Sequence, residues 1–333
     1  MCCMPKELPQ VPTVKLGRCG VKSTRLALGS ANSIGKVGDD AYVELLREAF
    51  RLGIRHVDTA PSYEQGWFAA RLEEAEAPDD LLVVTKIGRY RADDGAIEYD
   101  FDADRAVRSI HASLLELGRD KLPVVKFHDA QPEHWDQIMG PGGTLEAVRR
   151  LQDEGLVGAI GTAVGNVNFA ARAASSGEFD IIGSYHHYTL LNREAERRIH
   201  PHARRHKLGV INIAPHGGSI LGTGAVDGAR YSYREVLTAV TDAVHVMVRL
   251  CREIGFTLPT MALAISFAFM DVLVRRSVEH TSELQSLVNL VCRLLLEKKK
   301  PPPHPPHHPP PPRLAHPHTL LLPPHDPVSR PLN

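Results

Sequence analysis

The run LLVVTKIG, residues 81–88, is apolar at Leu81, Leu82, Val83, Val84 and Ile87 and is closed by Gly88. A strand that is apolar at consecutive positions has no polar face to offer to water. Both of its faces must be covered, which is the pattern of a parallel sheet. Six other short runs read the same way: LALGS (26–30), IRHVDTA (54–60), LPVVKFHDA (122–130), LVGAIGTAV (156–164), FDIIGSYHHY (179–188) and GVINIAPHGG (209–218). Amphipathic segments of helical spacing lie between them. Asp39 and Asp40 are placed to cap a helix with Leu45, Leu46, Ala49 and Phe50 on one face, ended by Gly53. Asp102 or Asp104 opens another, with Val107, Ile110, Leu114 and Leu117 in line and Gly118 at its end. Thr144 opens a third, carrying Leu145, Val148 and Leu151 as far as Gly155.

Seven strands, each followed by a helix, define an α/β chain. No Gly-rich dinucleotide fingerprint follows the first strand, so a doubly wound sheet is disfavoured. Seven to eight βα units over about 250 residues predict a (β/α)8 TIM barrel. The segment VPTVKLGRCGVKSTRLALGS predicts a hairpin ahead of the first barrel strand, turning near Cys19 and Gly20.

The 333 residues carry no formal net charge and are 43% hydrophobic, which gives no support to a nucleic-acid or membrane-surface partner. No apolar run reaches the roughly 18 residues of a membrane span, and MCCMPKELPQ lacks the apolar core of a signal peptide. Cys2, Cys3, Cys19, Cys251 and Cys292 are scattered, with no C-x-x-C pair, as expected of free thiols in a reduced, cytoplasmic protein. The strand ends show no His-x-His pair, so no metal is expected. Oligomeric state is left open.

In such a barrel, chemistry belongs at the C-terminal strand ends. Asp58 closes the second strand, Tyr63 lies in the loop after it, Lys86 closes LLVVTK, and His128 follows PVVKF. Singly, each has an ordinary role as a cap, a solvated end residue or a rim histidine. Together they form one consistent device. A phenol ionises at a pH of about 10 and exchanges protons poorly near neutrality. A nearby ammonium stabilises the phenolate, a carboxylate keeps that ammonium charged, and a histidine on the same oxygen shares the proton. The result suits carbonyl reduction or alcohol oxidation, with hydride carried by a cofactor.

In this order and spacing, GIRHVDTAPSYEQG, VVTKIGR and FHDA resemble the Asp, Tyr, Lys and His tetrad of the aldo-keto reductase superfamily, and the likeness covers roughly residues 14–269. The resemblance implies NAD or NADP bound without a Rossmann fold, its nicotinamide at the barrel mouth, and a small-molecule sugar or aldehyde substrate. TKIGRY, YDFDADRAVRSIHASLLELG, SYHHYTLLNRE and INIAPHGGSILGTG are similar to the aldose 1-dehydrogenases of the superfamily, among them the L-galactose, L-fucose and D-threo-aldose enzymes. These oxidise the anomeric hydroxyl of a free sugar to a lactone, which would make Tyr63 the base. The same resemblance implies Asn166 as the partner of the nicotinamide carboxamide, with Tyr185, Tyr188 and Pro215 at the cofactor. Asn166 reads equally well as the cap of the following helix, and HHY as polar residues at a strand end. Two departures stand out. Trp67 and Phe68 follow Gly66 where the family usually has a Ser-Glu pair, and either enters the substrate pocket or packs under the loop. His216 stands where an apolar or aromatic residue is usual. The alternatives are an NADPH-dependent aldehyde or ketone (pyridoxal-like) reductase, a cofactor-binding barrel without turnover, and an inactive truncated barrel.

Fourteen of the 25 prolines lie beyond residue 300, in a proline- and histidine-rich tail. Residues 276–286 resemble the conceptual translation of a common sequencing adaptor, RSEEHTSELQS, differing only at Val278. The competing reading is an amphipathic helix on Leu284, Leu287, Val288, Val291, Leu294 and Leu295. The expected organisation is therefore a barrel over 1–274, incomplete at its eighth strand with Val272–Val274 as a stub, and a non-family, disordered tail over 275–333.

Overall fold

The computed structural model describes residues 10–31, 38–232 and 234–274. A hairpin comes first: β1 (Thr13–Leu16) pairs antiparallel with β2 (Val21–Thr24), and Gly20 takes the left-handed conformation of the turn, φ 67°. Seven parallel strands then form one curled sheet: β3 (Leu28–Gly29), β4 (His56–Asp58), β5 (Leu82–Ile87), β8 (Leu122–His128), β9 (Val157–Val164), β10 (Ile181–Tyr185) and β11 (Gly209–Ile213). They lie in chain order from β3 to β11, as a barrel unrolled along one seam would. Every strand falls within a run expected from the sequence. β6 (Arg89–Arg91) and β7 (Ile97–Tyr99) form an unforeseen antiparallel hairpin after β5.

The central strands are covered on both faces. On the outer face Val125, Phe127, Ile160 and Ile182 pack under Ile110, Val148, Leu151, Phe169 and Ala173 of the surrounding helices. Burying one such aliphatic or aromatic side chain contributes about 1.5–3 kcal/mol. Inside the curl, Leu82, Val84, Val124, Ala159 and Ile181 form the floor, and Leu16 of the hairpin plugs it from below. Gly17 permits that approach, since a Cβ there would stand 2.2 Å from the Gly209 amide nitrogen.

The helix over Ala103–Glu116 is capped by Asp102, whose side chain accepts from the Arg105 amide at 2.9 Å. Thr144 begins the helix Thr144–Asp153, as expected. The first helix, Asp39–Arg51, differs: its N-cap is Gly38, and Asp39 and Asp40 occupy the first turn without a capping hydrogen bond. There they still favour the helix through its macrodipole.

The C-terminal end requires a correction. Val272–Val274, expected as the stub of an eighth strand, belong to the helix Leu258–Val274. Alanine, leucine and methionine dominate its course, Pro259 suits the first turn, and the Thr260 amide donates to Thr257 Oγ1 at 3.3 Å. Nothing breaks that pattern before Val272. This helix lies between the two sheet edges. Leu263 and Phe267 pack on Leu26 beside β3, while Ser266 Oγ accepts from Asn212 Nδ2 of β11 at 2.8 Å. The adaptor-like stretch and the proline-rich tail lie outside the described residues. Among the described residues no single helix is long and apolar enough to cross a membrane.

Candidate active site

β4 carries His56 and Asp58 on one face, by the period of two in a strand, and both line the interior of the curl. After Asp58 the chain turns through one 3-10 turn, Pro61–Tyr63, closed by Glu64 in the left-handed region at φ 53°. That turn folds Tyr63 back over the ends of β5 and β8. The Tyr63 hydroxyl lies 2.9 Å from His128 Nε2, with the two rings edge to face at 5.2 Å. Lys86 Nζ donates to Asp58 Oδ1 and, at 2.7 Å, to the Thr59 carbonyl, and it sits 4.5 Å from the centre of the Tyr63 ring. The four residues singled out in the sequence thus form one contiguous group.

Burial sets the electrostatics of this group. It opposes ionisation of Asp58, yet Lys126 and Lys86 hold that carboxyl well below the usual carboxylate range. The Lys86 ammonium is lowered to about 8, chiefly by burial, with Asp58 opposing and Lys126 adding to the shift. Burial, helped by Lys86 and Arg89, pushes His128 well below the ordinary histidine range, so it is neutral near pH 7. A neutral imidazole can accept a hydrogen bond from the phenol or donate one to the phenolate, according to its tautomer, without adding charge to the site.

Sequence reasoning missed Lys126. Its ammonium binds Asp58 Oδ2, and its side chain is fully buried in β8. The signal was present: Lys126 stands two residues before His128 and so shares its face of the strand.

The group opens into a cleft of about 1400 Å³ between β3, β11 and the helix Leu258–Val274. Asp58, Tyr63, Lys86 and His128 line one side, and Tyr185, Asn212, Pro215 and His216 the other. A drug-sized ligand needs roughly 300–1,000 Å³, so this space suits a dinucleotide with a small substrate. Two residues assigned to the cofactor do not line it. Asn166 Oδ1 caps the helix Val167–Ser176, accepting from the Asn168 and Phe169 amides at 3.0 and 3.1 Å. Tyr188 is buried, its ring against His200. Asn212 of β11 lines the cleft. Its Nδ2 is used by the Tyr188 carbonyl and Ser266, while its buried Oδ1 has no hydrogen-bond partner among the described residues. Among the described residues no cluster of His, Cys, Asp or Glu is arranged to hold a metal.

Of the two readings of Trp67 and Phe68, packing is what the structure places there. Neither lines the cleft. Phe68 is buried, and Trp67 lies against Tyr42 at 5.2 Å with the Arg71 guanidinium over it at 5.4 Å. Trp67→Ala should therefore cost roughly 2 kcal/mol of stability in a urea melt. It should leave the order of preference among substrates unchanged, which relative kcat/KM values across a substrate panel would check.

Residues 25–298 match the Aldo/keto reductase family, a span that runs beyond Val274, and the chain belongs to that family. It is an NAD(P)-dependent oxidoreductase on an incompletely curled α/β barrel. It is 28% identical over 268 residues to L-galactose dehydrogenase of Arabidopsis thaliana, covering 77% of this chain and 80% of that one. It is also 28% identical over 284 residues to D-threo-aldose 1-dehydrogenase of a Pseudomonas species, covering 77% and 84%. In fold it is similar to the holo form of aldo-keto reductase AKR11C1 from Bacillus halodurans, with a TM-score of 0.61 at 20% identity over 84% of this chain and 96% of that one.

Proposed function

We propose that the protein oxidises the anomeric hydroxyl of a free aldose to a lactone, with NAD or NADP as hydride acceptor. The observation that carries this reading is the contact of the Tyr63 hydroxyl with neutral His128, beside the Lys86–Asp58 pair, at the wall of a dinucleotide-sized cleft. The two aldose dehydrogenases among its relatives support the substrate class. In this scheme Asp58, Tyr63, Lys86 and His128 are the catalytic residues. Tyr63, as phenolate, takes the anomeric hydroxyl proton while Lys86 holds its charge, and His128 aligns the hydroxyl. A nicotinamide held in the cleft would supply the hydride acceptor for the anomeric carbon, and loss of the hydroxyl proton to Tyr63 together with that hydride would leave the lactone carbonyl. On the cleft wall Tyr185 offers a flat ring, and Pro215 and Asn212, of the segment after and within β11, would lie beside the cofactor. In the same reading residues 1–274 form the catalytic unit, residues 275–333 lie outside it, and the protein works in the cytoplasm.

The pH dependence of oxidation is a test. Lys86 must be charged to hold the phenolate, and its ammonium is lowered to about 8. The charged fraction therefore falls as pH rises through that value, and kcat should turn down above about pH 8. A rate that keeps climbing well past that point would contradict the role given to Lys86. NADPH with aldehydes, run beside NAD or NADP with free aldoses, would separate the reductase alternative.

A further inference from the structure

Asp58 needs one cation to be neutralised, and Lys86 supplies it. A second, fully buried ammonium binds its other oxygen. Removing an ammonium from water is expensive, and a buried ion pair is weak evidence for stability. Lys86 and Lys126 stand opposite one another in the register of β5 and β8, on the same inward layer. The next strand makes room for Lys126. Gly161 is its register partner on β9, and a Cβ there would lie 3.3 Å from Lys126 Cγ and 2.8 Å from the Ile181 carbonyl oxygen.

The charges around this layer do not cancel. Asp58 of β4 contributes one negative charge, and Lys86 of β5 and Lys126 of β8 two positive ones. His56 of β4, lowered to about 4 by burial and then by Lys126, is neutral, as is His128. Arg89 of β6 adds positive potential, and it disfavours the charged forms of both Lys86 and His128. From β9 only Gly161 faces Lys126, without a charge. Glu64 and Asp129 line the cleft at its rim. The Tyr63 hydroxyl is the ionisable group that lies beside the Lys86 ammonium at the mouth of this layer.

We propose that Lys126 is a positioning residue of this site: by taking the second oxygen of Asp58 it leaves the buried layer one positive charge in excess, and so favours the ionised Tyr63 that abstracts a proton. This rests on the reading of Tyr63 as the proton acceptor in oxidation. Lys126 touches neither substrate nor cofactor and acts through Asp58 and Lys86. A methionine at this position would fill the same space, leave Asp58 paired with Lys86, and remove the excess charge.

The test is the pH profile of kcat for full-chain Lys126→Met, with NAD or NADP and a free aldose. Loss of the excess charge disfavours the phenolate, so the acidic limb should move up by about one pH unit. It also removes a like charge from Lys86, so the alkaline limb should move up with it. NADPH affinity, read by fluorescence, should stay within about two-fold. A profile that keeps its position while kcat falls would show Lys126 to be packing and overturn the proposal. A second measurement needs neither that variant nor turnover: the ultraviolet phenolate titration of the unaltered protein minus that of Tyr63→Phe. The difference should titrate at least about one pH unit below an ordinary tyrosine. Titration with the other tyrosines would overturn the proposal. If no aldose is turned over, the same difference titration in Lys126→Met decides the matter: a rise of about one pH unit against the parent supports the role of Lys126, and an unshifted titration overturns it.

Discussion

Tyr63→Phe should lower kcat for aldose oxidation by roughly 10²–10⁴-fold, the span of a positioned acid–base group. The affinity for NADPH should change by less than about two-fold. The change removes one oxygen atom and leaves the ring between Lys86 and His128. That oxygen is the one atom of the residue that can take the anomeric proton. Its partner is His128 Nε2 at 2.9 Å, and neutral His128 cannot take over the task, because burial and the surrounding cations disfavour its protonated form. Rate and affinity should therefore separate cleanly: kcat collapses while fluorescence titration with NADPH is unchanged. Turnover within a few-fold of the parent would remove Tyr63 from the mechanism.

Lys86→Met should be nearly as severe, with kcat down by roughly 10²–10³-fold. The cation 4.5 Å from the Tyr63 ring is lost, and with it the charge that stabilises the phenolate. Breaking a buried ion pair ordinarily destabilises a protein by several kcal/mol, because the abandoned partner stays charged. Here Lys126 still holds Asp58 Oδ2, so the carboxylate is not left alone. The variant should melt cooperatively, and its pH–rate profile should lose the downturn near pH 8 that belongs to Lys86. A profile identical in shape to that of the parent would assign that downturn to another group.

Much of this was legible because each strand is buried on both faces and each catalytic candidate ends one. Asp58, Lys86 and His128 close β4, β5 and β8 or lie a residue from their ends, and the order of runs is the order of the strands in the sheet. The hairpin of β6 and β7 was not legible, because Ile97, Glu98 and Tyr99 are exposed and leave no apolar run to read. Val272–Val274 misled because two β-branched residues resemble a strand fragment, whereas the helix that begins at Leu258 carries through them. Asn166 had two readings in the sequence, and the structure shows its side-chain oxygen in the cap of the next helix, accepting from two backbone amides. Lys126 was hidden by its neighbours. A lysine within an apolar run looks like a solvated residue until a carboxylate is found opposite it.

The most direct test is reduced-nicotinamide absorbance on mixing the full chain with NAD or NADP and a panel of free aldoses. Reduced cofactor should accumulate with at least one aldose, and the signal should be abolished in Tyr63→Phe. No reduced cofactor with any aldose and either nucleotide, from protein that binds NADPH and melts cooperatively, would contradict the assignment.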